Sequence, residues 1–317
     1  MKLVTFSRSS GDSRLGAKAG GQVIDLAAAA GAAGHDPQQY EDMAGFIRAG
    51  SAALNGAASL VEAAPEDARY PLDQVTLLAP IRPSTILCSG SNYHAHNAEK
   101  ANTPISGNEP EFFLKTSDCV IGPEEAIVFD ERVSRKIDCE TELAIVIGRE
   151  GRFIPVDQAL AHVFGYTVAN DVTARDRQVR MTPEGVTWYE LGRGKAFDTS
   201  VPLGPVIVTA DEIPDPQALH LSTRINGELR QSSSTGDMIW SCADLIHFFS
   251  FNFTLKPGMV ILTGTPAGTA WSVDKDLGGN WTPAPGLVAA TRYCLPGDVV
   301  ESEIDAIGIL KNPVVAY

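Results

Sequence analysis

The stretch "DCETELAIVIG", residues 138–148, places Asp138, Glu140 and Glu142 directly before a run that is apolar on both faces. Alternate side chains of a strand share a face, so Glu140 and Glu142 project together, about 6.5 to 7 Å apart along the backbone. Two carboxylates that close repel one another unless a proton or a cation lies between them. A hard divalent ion (Mg2+, Mn2+ or Ca2+) relieves that repulsion, because such ions prefer oxygen ligands. A solvated strand end is the other reading of the same spacing. The chain carries its own control in "VVESEID", where Glu301, Glu303 and Asp305 repeat the spacing while Val300, Ile304 and Ala306 continue on the opposite face. That alternation is the pattern of a strand with one wet side. After Glu142 no wet side continues, yet spacing alone leaves both readings open.

A metal would need a further acid. Asp171 in "GYTVANDVTARDRQ" follows an apolar segment that reads as a strand, and Arg175 and Gln178 come within two helical turns of it if the chain bends into a helix there. Asp171 would serve equally well as the N-cap of such a helix.

The elements that must position these residues are mostly β. Short apolar runs bounded by Pro and Gly, such as "PLGPVIVTADEIP", "KPGMVILTGTP" and "PGDVVESEIDAIGILKNPV", fill the chain from about residue 76 onward and predict a β-rich domain over 76–317. Asn226-Gly227 in "LSTRINGELRQ" predicts a tight type I′ hairpin, since both residues tolerate positive φ. Ser241 is placed to cap a helix over "SCADLIHFFSFNFTL", and "DQALAHVFG" reads as another helix. Residues 1–75 read as a small N-terminal domain, with a strand pair, "KLVTF" and "GQVIDL", followed by an Ala- and Gly-rich stretch of weak helical periodicity.

Bulk properties narrow the partners. At 317 residues the chain can hold a large domain and a small one. No apolar stretch is long enough to span a bilayer, and the first residues lack a secretory h-region, so a cytoplasmic protein without a membrane partner is expected. Five cysteines without a CxxC pair argue for buried thiols over disulfides or a cysteine zinc site. A formal charge of −14 without a basic stripe makes nucleic acid a poor partner. A small anionic ligand would have to be drawn in by a local cation cluster or a metal ion.

Five motifs in order, "CSGSNYHAHNAE", "DCETELAIVIG", "GYTVANDVTARDRQ", "GRGKAFDTSVPLGPVIVT" and "ILTGTPAG", resemble the fumarylacetoacetate hydrolase superfamily over roughly residues 80–317. The resemblance implies a β-rich α+β fold, with a rolled mixed β-sheet catalytic domain behind a small N-terminal α/β domain, in a homodimer. It implies Glu140, Glu142 and Asp171 as ligands of Mg2+ or Mn2+, with Lys195 near the ion. The segment "NYHAHNAEK" is similar to one that orders as a lid over ligand, with His96 and Glu99 as a proton-transfer pair. Residues three apart on a helix are neighbours, so a carboxylate at 99 could orient the imidazole at 96. The same pair could be a plain surface contact.

The activity implied is C–C bond hydrolysis of an acylpyruvate-type β-diketo acid, as in the breakdown of aromatic compounds, releasing pyruvate or a relative and a carboxylic acid. His96 would activate water and Lys195 would favour the negative charge that develops near the metal. Lys115, Arg175 and Gln178 are candidates to grip substrate oxygens, or else to form structural ion pairs. Thr265 in the "TGTP" turn offers a hydroxyl to ligand, or simply ends a strand. The superfamily also includes keto-acid decarboxylases, isomerases and hydratases, and a non-catalytic keto-acid binder is a further alternative. The stretch containing Trp271, Trp281 and Tyr293 is longer than usual and could shape the specificity pocket or an oligomer contact.

Overall fold

The computed structural model describes residues 1–9, 11–99, 108–184 and 187–317. Among these, twelve strands form one mixed sheet. Its main path runs Arg69–Pro71, Gln22–Asp25, Arg14–Ala19, Lys2–Ser7, Val201–Thr209, Val163–Asn170, Thr141–Ile147, Val260–Leu262, Ile86–Gly90 and Glu111–Lys115. A second sheet of five strands is ordered Glu228–Ser234, His220–Ile225, Val299–Ile304, Gly308–Ala316 and Ile127–Phe129. Helices are few, the two longest being Met43–Ala63 and Cys242–Asn252. This is the β-rich α+β architecture expected, built on a mixed sheet.

The strand Thr141–Ile147 is buried at every position because both its faces meet apolar layers. Leu143, Ile145 and Ile147 pack with Leu245, Ile246 and Phe249 of the Cys242–Asn252 helix. Ala144 and Val146 pack on the other side, in the cluster that includes Phe46 and Ile47 of the Met43–Ala63 helix. Alternation puts Glu142 on the Ala144 and Val146 face. The comparison strand Val299–Ile304 behaves differently: Val300, Ser302 and Ile304 are buried while Glu301 and Glu303 are partly exposed.

Local signals are realised locally. Asn226 and Gly227 both take positive φ, at 53° and 80°, and join Ile225 to Glu228 across the hairpin. Ser241 accepts from Asp244 N–H in a capping box at the start of Cys242–Asn252. Two expectations change. The strands of "KLVTF" and "GQVIDL" are not paired directly, because Arg14–Ala19 lies between them in a three-stranded meander. The helix read over "DQALAHVFG" is one turn, Val156–Ala159, and a 3-10 turn, after which β-branched and aromatic residues take the chain into the strand Val163–Asn170. Lys2–Ser7 pairs with Val201–Thr209, so the N-terminal strands extend the sheet that carries the acids. All five cysteines are buried free thiols, and among the described residues no helix is long and apolar enough to cross a membrane.

Candidate active site

Three neighbouring strands end at the same edge of the core. Thr141 lies opposite Asn170 in the antiparallel ladder, and beyond the ladder the Asp171 amide donates to the Glu140 carbonyl at 2.8 Å. That register sets Asp171 across from Glu140 and on the same sheet face. The small residues Ala144 and Ala169 occupy that face and leave room beneath the carboxylates. One oxygen each of Glu140, Glu142 and Asp171 lies within 4.8 Å of the others, and all three side chains are buried.

The third strand, Val260–Leu262, leads into a turn whose Gly264 amide donates to Glu142 Oε2 at 2.7 Å. Gly264 has φ +91°, and a Cβ there would lie 2.7 Å from Asn92 Cβ, so the turn requires glycine. Asn92 is itself a buried staple that donates to the carbonyls of Thr263 at 2.7 Å and Trp240 at 3.0 Å. It fixes the chain that rises from the parallel strand Ile86–Gly90 into the helical turn His94–Asn97.

That turn brings His96 to the acids. Its Nδ1 is 2.6 Å from Glu99 Oε2 and its Nε2 is 4.0 Å from Glu140 Oε1. Glu99 is held in turn by the amides of Gly268 at 2.5 Å and Thr269 at 3.3 Å, and by the Thr269 hydroxyl at 3.2 Å. Both members of the pair are buried, which separates them from a surface contact. Lys100, the last residue of the lid motif, lies outside the described residues.

Cations surround the acids. Lys195 Nζ bridges Glu140 Oε2 at 2.5 Å and Asp171 Oδ2 at 2.6 Å. Lys115 Nζ lies 2.5 Å from Asp171 Oδ1 and donates to the carbonyls of Ser200 at 2.7 Å and Val172 at 3.2 Å, so its ammonium is fully engaged in fixing Asp171. Arg175 sits on a single helical turn, Arg175–Gln178, whose N-cap position is Ala174 without a side-chain cap bond, so Asp171 is not the cap of this turn. Its guanidinium donates to Asp138 Oδ2 at 2.9 Å, to Gln178 Oε1 at 3.0 Å and to Glu140 Oε1. Thr265 donates its hydroxyl to the Thr141 carbonyl at 3.0 Å and accepts from Gln231 at 2.9 Å.

Sequence reasoning gave Asp138 no role, although it continues the two-residue spacing of Glu140 and Glu142. Besides Arg175, its carboxylate accepts from the amides of Ala270 at 2.9 Å and Trp271 at 3.1 Å. It therefore ties the start of the long 271–297 stretch to the site. Trp271 is buried with the Arg175 guanidinium 4.8 Å from its ring centre, and Tyr293 hydrogen-bonds Asp274 at 2.6 Å.

The electrostatics are those of a site with buried negative charge in excess. Five buried carboxylates (Glu99, Asp138, Glu140, Glu142, Asp171) face three buried lysine and arginine cations (Lys115, Arg175, Lys195). The deficit falls on Glu142: burial first, then Asp171 and Glu140, hold its carboxyl well above the usual range. Burial also opposes ionisation of Glu140, but Arg175 and Lys195 outweigh it and hold that carboxyl well below the range. Burial would lower the Lys195 ammonium, and Asp171 and Glu140 raise it instead. Three converging carboxylates, one of them uncompensated, form an oxygen donor set that fits a hard divalent cation. Two added positive charges would offset that excess, which eases the approach of an anion despite the overall −14.

The family described as fumarylacetoacetate (FAA) hydrolase C-terminal matches residues 85–315. A curated relative, the mitochondrial oxaloacetate tautomerase fahd2 of Xenopus laevis, is 40% identical over 319 residues, covering 99% of this chain and 90% of that one. Among solved structures, the fumarylacetoacetate hydrolase of Exiguobacterium antarcticum superposes with TM-score 0.77 at 34% identity, covering 100% of both chains. Maleylpyruvate hydrolase of Sphingobium sp. SYK-6, solved with manganese(II) and pyruvate, superposes with TM-score 0.73 at 31% identity, covering 100% of this chain and 99% of that one. The chain belongs to the fumarylacetoacetate hydrolase superfamily.

Proposed function

We propose that this superfamily member is a divalent-metal-dependent enzyme that interconverts the keto and enol forms of a small 2-oxo acid, oxaloacetate first among them. The observation that carries the reading is one buried cluster in which three carboxylates lie within 4.8 Å of one another beside the His96 and Glu99 pair. The tautomerase activity named for the Xenopus relative, similar over 99% of this chain, supports the choice of reaction and substrate.

Glu140, Glu142 and Asp171 would hold Mg2+ or Mn2+, with Ca2+ also compatible with the donor set. A bound hard cation supplies Lewis acidity, which favours negative charge on a 2-oxo oxygen. The chain's own residues do the rest. Glu99 accepts the Nδ1 proton of His96, which assigns Nε2 as the basic nitrogen, aimed at the acids. In the keto-to-enol direction Nε2 takes a proton from C3 and delivers it to the C2 oxygen, and in reverse both transfers run backwards. Lys195 and the guanidinium edge of Arg175 stand where charge would develop, Gln178 and Thr265 line the cavity for substrate oxygens, and Lys115 fixes Asp171. The protein is proposed to work as a homodimer, as the family resemblance implies.

C–C hydrolysis of an acylpyruvate, expected from the sequence, is a second reading, supported by likeness to the maleylpyruvate hydrolase. It uses the same basic nitrogen on water. Mixing the protein and Mg2+ with enol-oxaloacetate should speed the decay of its ultraviolet absorbance, and His96→Ala should slow that step by about 10²- to 10⁴-fold. An unaccelerated decay, beside pyruvate release from an acylpyruvate panel, would replace tautomerisation by hydrolysis.

A further inference from the structure

The cavity above the acids is about 580 Å3, and its two ends differ in chemistry. The floor carries the carboxylates, His96, Arg175 and Lys195. The mouth is aromatic: Phe112, Trp188 and Phe248 come from three separate elements and line the outer wall. Phe112 meets Phe248 and Phe249 edge-on, with ring centres 5.8 and 5.7 Å apart, so this wall is a packed surface. Phe112 and Trp188 nevertheless remain 38% and 41% exposed. Large aromatic side chains left open at a cavity mouth mark a place where apolar ligand surface is covered. A four-carbon diacid fills little of such a space, since cavities of roughly 300–1,000 Å3 enclose drug-sized ligands.

Charge decides what kind of ligand reaches the mouth. Among the described residues, Arg175 and Lys195 are the lysines and arginines that line the cavity, and both lie at its floor. A long diacid would bring its second carboxylate away from both cations and into a wall of rings, whereas a neutral ring would cover Phe112, Trp188 and Phe248.

We propose that the site takes 2-oxo acids bearing a neutral aromatic or bulky apolar substituent at C3, the acid head at the floor and the ring at the mouth. The proposal rests on the metal-assisted enolisation described above. In 3-phenylpyruvate the benzylic C3–H bond breaks with its proton passing to His96 Nε2, the C2–C3 double bond forms as the C2–O double bond opens, and His96 Nε2 passes that proton on to the C2 oxygen. No atom or electron is gained overall. Conjugation of the new double bond with the ring favours this enol over that of pyruvate.

The test is calorimetric titration of the Mn2+-loaded protein with pyruvate and with 3-phenylpyruvate. The aryl acid should bind about tenfold tighter or more, the effect of burying a ring. That ratio should collapse toward one in Trp188→Ala, and independently in Phe112→Ala. Equal affinities in the native protein, absence of aryl-acid binding, or a ratio that survives both substitutions would overturn the proposal. Equal affinities with rapid oxaloacetate tautomerisation would remove the aryl class alone, and a high ratio without oxaloacetate tautomerisation would remove the tautomerase reading alone.

Discussion

Glu142 is the residue at which the charge deficit of the site becomes measurable. Its carboxyl is held well above the usual range, so the folded, metal-free protein keeps a proton that the unfolded chain releases above the ordinary value of 4.5. A raised carboxyl contributes nothing against folding below that value and opposes folding increasingly as pH rises through the window above it. In the presence of a chelator, Glu142→Gln should therefore be more stable than the native protein at pH 8 and nearly equal to it at pH 4.5. Each pKa unit removed is worth about 1.4 kcal/mol. Thermal unfolding at the two pH values checks this, and an equal difference at both would contradict it. Glu140 and Glu142 stood out as a pair by their two-residue spacing before a run apolar on both faces, but that spacing also fitted a solvated strand end, and the resemblance is what joined Asp171 to them. The employment of Lys115 was not legible, since its partners Asp171 and Ser200 lie 56 and 85 positions away and no local pattern joins them. Asp138 shared the visible spacing, but its partners Ala270 and Trp271 lie 132 and 133 positions away.

At the scale of elements, the site depends on turns that hold strand ends in register. The turn at Gly264 is one of these, with positive φ, Glu142 on its amide and Asn92 in the space a Cβ would take. Gly264→Ala should cost about 1–3 kcal/mol of stability through forced backbone strain. It should also weaken metal binding by displacing Glu142. A urea midpoint unchanged from that of the native protein would show that the turn is not so constrained. Elements specified within a few residues were readable in advance: the Asn226-Gly227 hairpin needs only two residues that accept positive φ, and the Ser241 cap needs only Asp244 three places on. The strand Arg14–Ala19 escaped notice because "RLGAKA" offers just Leu15 and Ala17 as alternating buried apolar residues and is otherwise small or charged. The short turn at Val156–Ala159 was read as a longer helix because its apolar spacing continues into residues whose strand pairing is set by tertiary contacts.

At the scale of the molecule, strand order decides which residues meet, and it is a long-range property that local patterns do not carry. The motifs near residues 96, 140, 171, 195 and 265 are separated by most of the chain, yet the order Val163–Asn170, Thr141–Ile147, Val260–Leu262, Ile86–Gly90 places their ends side by side. Only the resemblance of five motifs in sequence pointed to that convergence. A site with buried negative charge in excess should couple metal binding to global stability. Mg2+ at about a hundred times its Kd should add about 2.7 kcal/mol, seen as a rise of several degrees in Tm that a chelator reverses. The most direct test of the central claim is calorimetric titration of Mn2+ into the native protein and into Asp171→Ala. One ion per chain, with binding lost in the variant, is the result this account predicts. No saturable Mn2+ binding to the native chain, or equal affinity in the variant, would contradict it.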